Sequence, residues 1–249
     1  MCVSQSGETT DLLGPFREAG KLGIKRFNIV NNVESTLARE AKCGVFLNAG
    51  KESSIASTKA FLNQVIAFSM LTIWFASRQN YKNSKSQRIK LWTELSQLSS
   101  KVKFVVENIP AFAKACASKL KDEDHVFLLG LGLGECAAKE GSLKMKELTY
   151  KHCQAYSLNN VANGFFSFSK QRKEAGSGAC AFHLILDDEF KSKNLEFLEY
   201  IDTKLGVNAF VISDCVKEED RSIIEKHSKQ HFYVPQSGYL SALLCVIPI

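Results

Sequence analysis

The chain has 249 residues, of which 45% are hydrophobic and 23% charged, and its formal net charge is +6. This composition is that of a globular protein, and the length suits one large domain or two ordinary ones. Basic residues are interspersed with acidic ones, which argues against a nucleic-acid-binding protein. Eight cysteines show no Cys-x-x-Cys spacing, so we expect a reduced, cytoplasmic protein with no metal site.

The first ten residues predict the end of a strand, a tight turn and the start of a helix. Ser4, Ser6 and Thr9 place hydroxyl groups on both sides of Gly7, and glycine lets the backbone approach a bound group closely. Hydroxyls beside the free N–H groups of a helix N-terminus suit a phosphate. The alternative is an ordinary capped turn, which these residue types by themselves favour.

Alternating strands and helices are predicted along the rest of the chain. The apolar patterns indicate strands over residues 24–30, 44–48, 126–130, 182–186, 207–213 and 231–234. They indicate helices over residues 11–19, 35–40, 61–76, 109–120, 137–150, 195–204, 222–228 and from 240 onward. Residues 156–168 are predicted to be a polar loop, and residues 170–178 an exposed turn. The alternation predicts an α/β fold with parallel sheets.

The most apolar segment, residues 61–76, is predicted to be a buried helix at a domain core or a subunit interface. It is shorter than the roughly 18 residues that a membrane-spanning helix needs, and polar residues interrupt it. No secretory signal opens the chain. We therefore expect no membrane partner, and the excess of apolar surface on this helix predicts self-association as a homodimer.

Two further patterns concern the organisation of the chain. Glycines at 130, 132 and 134 resemble a dinucleotide-binding loop, but the third glycine comes one position early and no convincing acidic partner follows, so we expect no cofactor. Residues 21–29 align without gaps with residues 204–212, both at a helix end, a glycine and a buried strand. This match predicts an internal duplication.

The helix over residues 137–150 carries a candidate catalytic group. Glu140, Lys144 and Glu147 follow one another at i, i+4 and i+7, on one helix face. A carboxylate and an amine placed this way can move a proton between adjacent carbons of a sugar, with the lysine stabilising the enediolate. The alternative is a solvated row of ion pairs, which the spacing by itself favours.

Three stretches together resemble glutamine–fructose-6-phosphate aminotransferases, in the isomerase half built from sugar isomerase (SIS) domains. They are Ser4-Gln5-Ser6-Gly7-Glu8-Thr9, then Asn48-Ala49-Gly50 with residues 55–61, and residues 140–152. The resemblance covers nearly the whole chain. It implies two tandem flavodoxin-like, doubly wound SIS domains: residues 1–80, lacking the N-terminal part, and residues 115–249, cut short at the C-terminus. Residues 81–114 would be a helical connector.

The resemblance also implies the site residues. The sugar phosphate would be held by Ser4, Gln5, Ser6 and Thr9. The sugar hydroxyls would contact the backbone of Ile55 and the side chain of Ser57. Glu147 would be the catalytic base and Lys144 its partner. The implied ligand is a hexose 6-phosphate, the implied reaction is fructose 6-phosphate to glucosamine 6-phosphate in hexosamine synthesis, and the implied assembly is a dimer without cofactor.

Departures from the family pattern bear on activity. Asn163 stands where the family has a ring-opening histidine, Asn160 where it has a glutamate and Leu131 where it has an arginine. Asparagine cannot shuttle a proton near neutral pH. A glutaminase domain and the lysine of the family's C-terminal tail are missing from the sequence. We therefore expect an incomplete or degenerate isomerase portion. The alternatives are a non-catalytic hexose-phosphate-binding regulatory protein and a gene fragment with no independent role.

Overall fold

The computed structural model describes residues 1–79, 81 and 84–249. The chain divides into two compact units, Met1–Trp92 and Thr93–Ile249. The predicted α/β fold with parallel sheets is confirmed in each of them. The predicted domain boundary at residue 80 and residues 82–83 of the predicted connector lie outside the described residues.

The first unit is a three-stranded parallel sheet whose strands are joined through helices, in the order β1-β2-β3. Its elements are β1 (Cys2–Ser4), α1 (Thr10–Lys21), β2 (Asn28–Val30), α2 (Thr36–Ala41), β3 (Gly44–Phe46) and α3 (Lys59–Arg78). The loops that leave the carboxyl ends of the strands are residues 5–9, 31–35 and 47–58. Because the strands are parallel, these loops share one edge of the sheet, where α/β proteins bind ligands.

Helix α3 differs from its prediction in length and in burial. It has 20 residues, and Ala60 and Ala67 are its buried members, whereas Trp74 and Phe75 are 51% and 52% exposed. The expectation of a helix buried in a domain core is therefore wrong within this unit, because a three-stranded sheet covers little of a 20-residue helix. By length and composition alone α3 could also cross a membrane, a test that core helices of soluble proteins pass as well.

The second unit is a five-stranded parallel sheet in the order β5-β4-β6-β7-β8, the strand order of flavodoxin-like folds. Helix α4 (Lys85–Asn108) crosses from the first unit into the second. The remaining elements are α5 (Pro110–Leu120), β4 (His125–Gly130), α6 (Leu133–Thr149), β5 (His152–Ser157), α7 (Phe165–Glu174), β6 (Cys180–Ile185), α8 (Lys191–Thr203), β7 (Asn208–Ser213), α9 (Glu218–His227), β8 (Gln230–Tyr233) and α10 (Ser241–Val246).

Successive strand residues point to opposite sides of a sheet. Because consecutive residues of β4, β6 and β7 are buried, helices cover both faces of this second sheet. On one face Leu129 and Val211 belong to a core that includes Leu198 of α8. On the other face Phe112 of α5 packs against Phe232 of β8, with ring centroids 5.8 Å apart. The sheet is therefore doubly wound, as predicted.

The predicted loop and turn over residues 156–168 and 170–178 are wrong in part. Strand β5 ends at Ser157, and α7 occupies Phe165–Glu174. Although α7 is polar in composition, its first residue, Phe165, is fully buried. The Phe165 ring lies edge-on to the ring of Phe127, with centroids 5.0 Å apart. Burial of this aromatic side chain stabilises a helix that the local sequence pattern does not indicate.

The two segments of the predicted internal repeat occupy equivalent local positions. Gly23 follows α1 with φ of +71°, and Gly206 follows α8 with φ of +62°. Each glycine ends its helix in the left-handed conformation that glycine adopts without steric strain. Duplication itself stays a prediction.

Candidate functional site

The turn between β1 and α1 is held by its own hydroxyl groups. Ser4 Oγ accepts a hydrogen bond from the Gly7 N–H (3.0 Å) and lies 2.9 Å from Thr9 Oγ1. Ser6 Oγ accepts from the Glu8 N–H (3.2 Å). Ser4 is buried and Thr9 is exposed. When Ser4 donates its proton to Thr9, the Thr9 hydroxyl proton is left to donate to a ligand.

Gly7 attaches this turn to the beginning of α2. Its φ is +69°, and its carbonyl accepts a hydrogen bond from the Leu37 N–H (3.2 Å). The Ser35 side chain lies against it while capping α2 by accepting from the Ala38 N–H. The loop over residues 5–9 and the N-terminus of α2 are therefore packed as one piece.

Glu8 completes this attachment. Its Oε1 accepts a hydrogen bond from the Thr36 N–H in the first turn of α2 (2.7 Å). That backbone hydrogen bond lowers the pKa of the Glu8 carboxyl from its ordinary value. An ionised carboxylate thus occupies the positive end of the α2 dipole.

Asn31 connects the loops that follow β1 and β3. Its N–H donates to the Gln5 carbonyl (3.2 Å). Its side-chain amide donates to the Gly50 carbonyl (2.8 Å) and accepts from the Ala49 N–H (2.9 Å). One residue therefore bonds to both loops that carry predicted ligand-binding residues.

Glu52 organises the segment that precedes α3. Its carboxylate accepts hydrogen bonds from the Ser57 hydroxyl (3.1 Å) and the Thr58 N–H (2.7 Å). Burial raises the pKa of Glu52, but these hydrogen bonds outweigh it and lower the pKa below its ordinary value. Ile55 is 90% exposed at the tip of the segment, so the Ile55 side chain packs against little of the first unit.

In the second unit, Lys144 lies between two carboxylates on α6. Its Nζ is 2.9 Å from Glu147 Oε2 and 3.4 Å from Glu140 Oε1. The lysine side chain is 12% exposed and the Glu147 side chain 26%. The predicted placement of the three groups on one helix face is therefore present, and they are more enclosed than an ordinary surface ion pair.

The opposite side of α6 is bonded to the neighbouring strand β5. Ser142 is buried and donates its hydroxyl to the Cys153 carbonyl on β5 (3.0 Å). The positions at which the family pattern differs lie elsewhere in the unit. Leu131 is buried in the core, and Asn160 and Asn163 are exposed in the turn before α7.

The structure places the predicted residues in two groups. Ser4, Gln5, Ser6, Thr9, Ile55 and Ser57 lie on the loops of the first unit, and Lys144 and Glu147 lie on α6 of the second. The contacts of Glu8, Asn31 and Glu52 are not predicted from the sequence. Asn31 directly follows the buried β2, a position at which ligand loops begin in α/β folds. The contact of Glu52 with Thr58 has no comparable local signal.

Within residues 1–79, 81 and 84–249 no cluster of three or more His, Cys, Asp or Glu could hold a metal ion.

Residues 1–74 match the family model described as the SIS domain. The glutamine–fructose-6-phosphate aminotransferase [isomerizing] of Clostridium tetani is 32% identical over 248 residues, which are 99% of this chain and 39% of that protein. The protein of the same name from Saccharomyces cerevisiae is 36% identical over 162 residues, which are 65% of this chain and 22% of that protein. The chain thus spans well under half the length of these curated relatives.

One solved structure supports the same relationship, and a second supports the fold. The C-terminal domain of glucosamine-fructose-6-phosphate aminotransferase from Francisella tularensis has a TM-score of 0.77 and 25% sequence identity, covering 99% of this chain and 66% of that one. A phosphosugar isomerase fold from Silicibacter pomeroyi has a TM-score of 0.74 at 23% identity, with similar coverage. At 23% identity, the similarity to the second structure shows the fold alone.

Proposed function

We propose that this chain, which carries a SIS domain and is homologous to glutamine–fructose-6-phosphate aminotransferases, binds a hexose 6-phosphate at residues 4–9. Ser4, Gln5, Ser6 and Thr9 would hold the phosphate, directly or through one another. The backbone of Ile55 and the hydroxyl of Ser57 would contact the sugar.

The observation that carries this proposal is the difference between three helix N-termini at one sheet edge. Within residues 1–79, all of which the structure describes, Ser35 and Glu8 accept hydrogen bonds from the first turn of α2, and Glu52 accepts from the start of α3. Helix α1 has no side-chain cap. The first turn of α1 also carries Asp11, but no side chain caps it, so its free N–H groups, beside the Thr9 hydroxyl, offer donors to an anion. At the starts of α2 and α3, carboxylates already accept hydrogen bonds.

A second candidate function is sugar isomerisation, favoured by the ion-pair geometry on α6. Glu147 would abstract the proton from the carbon next to the carbonyl, and Lys144, 2.9 Å away, would stabilise the enediolate oxygen. The parent reaction of the family forms glucosamine 6-phosphate for hexosamine synthesis. We propose that this chain by itself does not form that amine and isomerises fructose 6-phosphate slowly, because Asn163 cannot open the sugar ring.

The competing function is that of a non-catalytic, regulatory hexose-phosphate-binding protein. It shares the phosphate site and needs no proton transfer. The two are distinguished by whether isomerase turnover depends on Glu147 while binding does not.

We further propose that the protein is a cytoplasmic homodimer. The exposed face of α3 and β3 encloses a groove of about 610 Å³, bordered by Phe27, Phe46, Met70, Leu71, Trp74 and Phe75. Apolar surface of this kind commonly marks a protein–protein contact. All eight cysteines are free thiols and five of them are buried, which suits a reducing compartment.

Calorimetric titration of the full chain with fructose 6-phosphate, glucosamine 6-phosphate and inorganic phosphate tests the phosphate site. We expect both hexose phosphates to bind at millimolar concentration or below. We expect Ser6→Ala to lower the affinity for both of them. The matched control is Ser96→Ala, an exposed serine in the second unit that bonds to the Thr93 carbonyl. No hexose phosphate binding, or equal affinity in Ser6→Ala, would contradict the proposal.

A further inference from the structure

We infer that Asn31 is a positioning residue that sets the preference of the first unit for a sugar phosphate over phosphate alone. Its side chain holds the segment over residues 49–57 in place beside the phosphate loop over residues 5–9. This inference rests on the proposed function, since it assigns the sugar to residues 49–57 and the phosphate to residues 5–9.

The two halves of Asn31 perform separate tasks. Its main-chain N–H bonds to the Gln5 carbonyl of the phosphate loop. Its side-chain amide donates a hydrogen bond to the Gly50 carbonyl (2.8 Å) and accepts one from the Ala49 N–H (2.9 Å). A planar amide that makes both bonds fixes the direction of the partner segment as well as its distance.

The backbone of the partner segment is shaped to meet this amide. Asn48 and Gly50 on either side of Ala49 have φ values of +53° and +72°. Asparagine and glycine are the residues that adopt this left-handed conformation most readily. The resulting turn presents the Ala49 N–H and the Gly50 carbonyl to the same side chain.

Hydrogen bonds continue from this turn to the predicted sugar contacts. The Lys51 carbonyl accepts from Lys59 Nζ (2.8 Å), and Glu52 accepts from Ser57 and Thr58. The position of the Ser57 hydroxyl therefore depends on where residues 49–52 lie. Asn31 ties those residues to the phosphate loop through side-chain hydrogen bonds.

Replacing Asn31 by alanine separates its two tasks. The variant keeps the main-chain bond to Gln5 and loses both side-chain bonds. Affinity for inorganic phosphate, which needs the phosphate loop alone, is expected to stay within about twofold. Affinity for fructose 6-phosphate is expected to fall about tenfold, because the segment over residues 49–57, no longer held by these bonds in the free protein, must be ordered when the sugar binds. General destabilisation would weaken both ligands alike.

The experiment is calorimetric titration of the full chain with fructose 6-phosphate and with inorganic phosphate, comparing the ratio of the two affinities. The matched control is Asn32→Ala, because the neighbouring Asn32 side chain accepts from the Glu34 N–H within its own turn. We expect an unchanged ratio for Asn32→Ala. Asn31→Asp keeps an acceptor for Ala49 but places a carboxylate oxygen against the Gly50 carbonyl, and two acceptors repel each other. Its affinity ratio should therefore fall at least as far as that of Asn31→Ala.

Amide hydrogen exchange in the free protein supplies a readout without ligand. Exchange of the Ala49 N–H should accelerate in Asn31→Ala and not in Asn32→Ala, since an amide that loses its acceptor is less protected. Unchanged Ala49 exchange, or an unchanged affinity ratio in Asn31→Ala and Asn31→Asp, overturns the inference. If the unaltered chain does not bind fructose 6-phosphate, the proposed function is refuted. If the unaltered chain binds it and the affinity ratio does not change in the variants, the inference about Asn31 alone is refuted.

Discussion

Gly7 lies so close to Ser35 that a methyl group on Gly7 would overlap the Ser35 side chain. The same glycine has a φ of +69°, a conformation that residues with a side chain adopt at a cost of about 1–2 kcal/mol. Two independent restrictions therefore act on one position of the phosphate loop. The overlap comes from the packing of this loop on the N-terminus of α2, whereas the positive φ belongs to the turn between β1 and α1.

Gly7→Ala is expected to destabilise the protein by about 2 kcal/mol or more and to weaken hexose phosphate binding, because strain and overlap add. Urea unfolding and calorimetric titration measure the two effects. Gly14→Ala is the matched control: Gly14 lies within α1, where added atoms would meet nothing within 4 Å, and alanine favours helix. A Gly7→Ala protein as stable and as tightly binding as Gly14→Ala would contradict the packing described here.

Glu147→Gln is expected to lower isomerase turnover by roughly 10²–10⁴-fold, the usual contribution of a general base. Binding of fructose 6-phosphate should change little, because the phosphate is assigned to residues 4–9. A coupled glucose-6-phosphate dehydrogenase assay measures turnover. Glu135→Gln is the matched control, since Glu135 forms another i, i+4 pair on α6, with Lys139 at 2.7 Å. Equal turnover in the two variants would show that Glu147 is not the base.

His183 is expected to make stability depend on pH. Its ring is fully buried on β6 with Nε2 3.0 Å from Asn194 Oδ1, and burial lowers its pKa to about 4. Between pH 4 and about 6.5 the unfolded chain therefore binds a proton that the folded chain does not. Stability should fall as the pH decreases through this window, by about 3 kcal/mol in total.

The measurement is urea unfolding between pH 7 and pH 4 for the unaltered protein and for His183→Gln. The glutamine variant removes the titrating group and retains a donor for Asn194, so its loss of stability on acidification should be smaller. Other acidic and basic groups titrate in both proteins and cancel in the difference. Parallel stability curves for the two proteins would argue against a neutral His183 in the folded state.

Trp74→Glu is expected to convert the proposed dimer to a monomer. Trp74 is half exposed beside the apolar groove, and burying a carboxylate at a dimer contact costs several kcal/mol. Sedimentation at micromolar concentration measures the oligomeric state. Thr72→Glu introduces the same charge at an exposed position of α3 outside the groove and should leave the dimer intact. A monomeric unaltered protein would rule out the dimer itself.

The local sequence was sufficient for the α/β alternation, the turn around Gly7 and the common face of Glu140, Lys144 and Glu147. Each of these depends on residues within about seven positions, because helix and strand periods and capping turns are short-range properties. The Ser4–Thr9 contact spans five residues and follows the same rule. The α6 ion pairs, at i+3 and i+4, are predictable for this reason.

Tertiary structure alone decided the features that join distant segments. Asn31 bonds to residues 18 and 19 positions away, and Glu8 accepts from Thr36, 28 positions away. Helix α7 forms because Phe165 is buried against Phe127, and α3 is exposed because three strands cover little of it. Such contacts depend on which loops and faces the parallel sheet brings together, and no periodicity in the chain encodes that proximity.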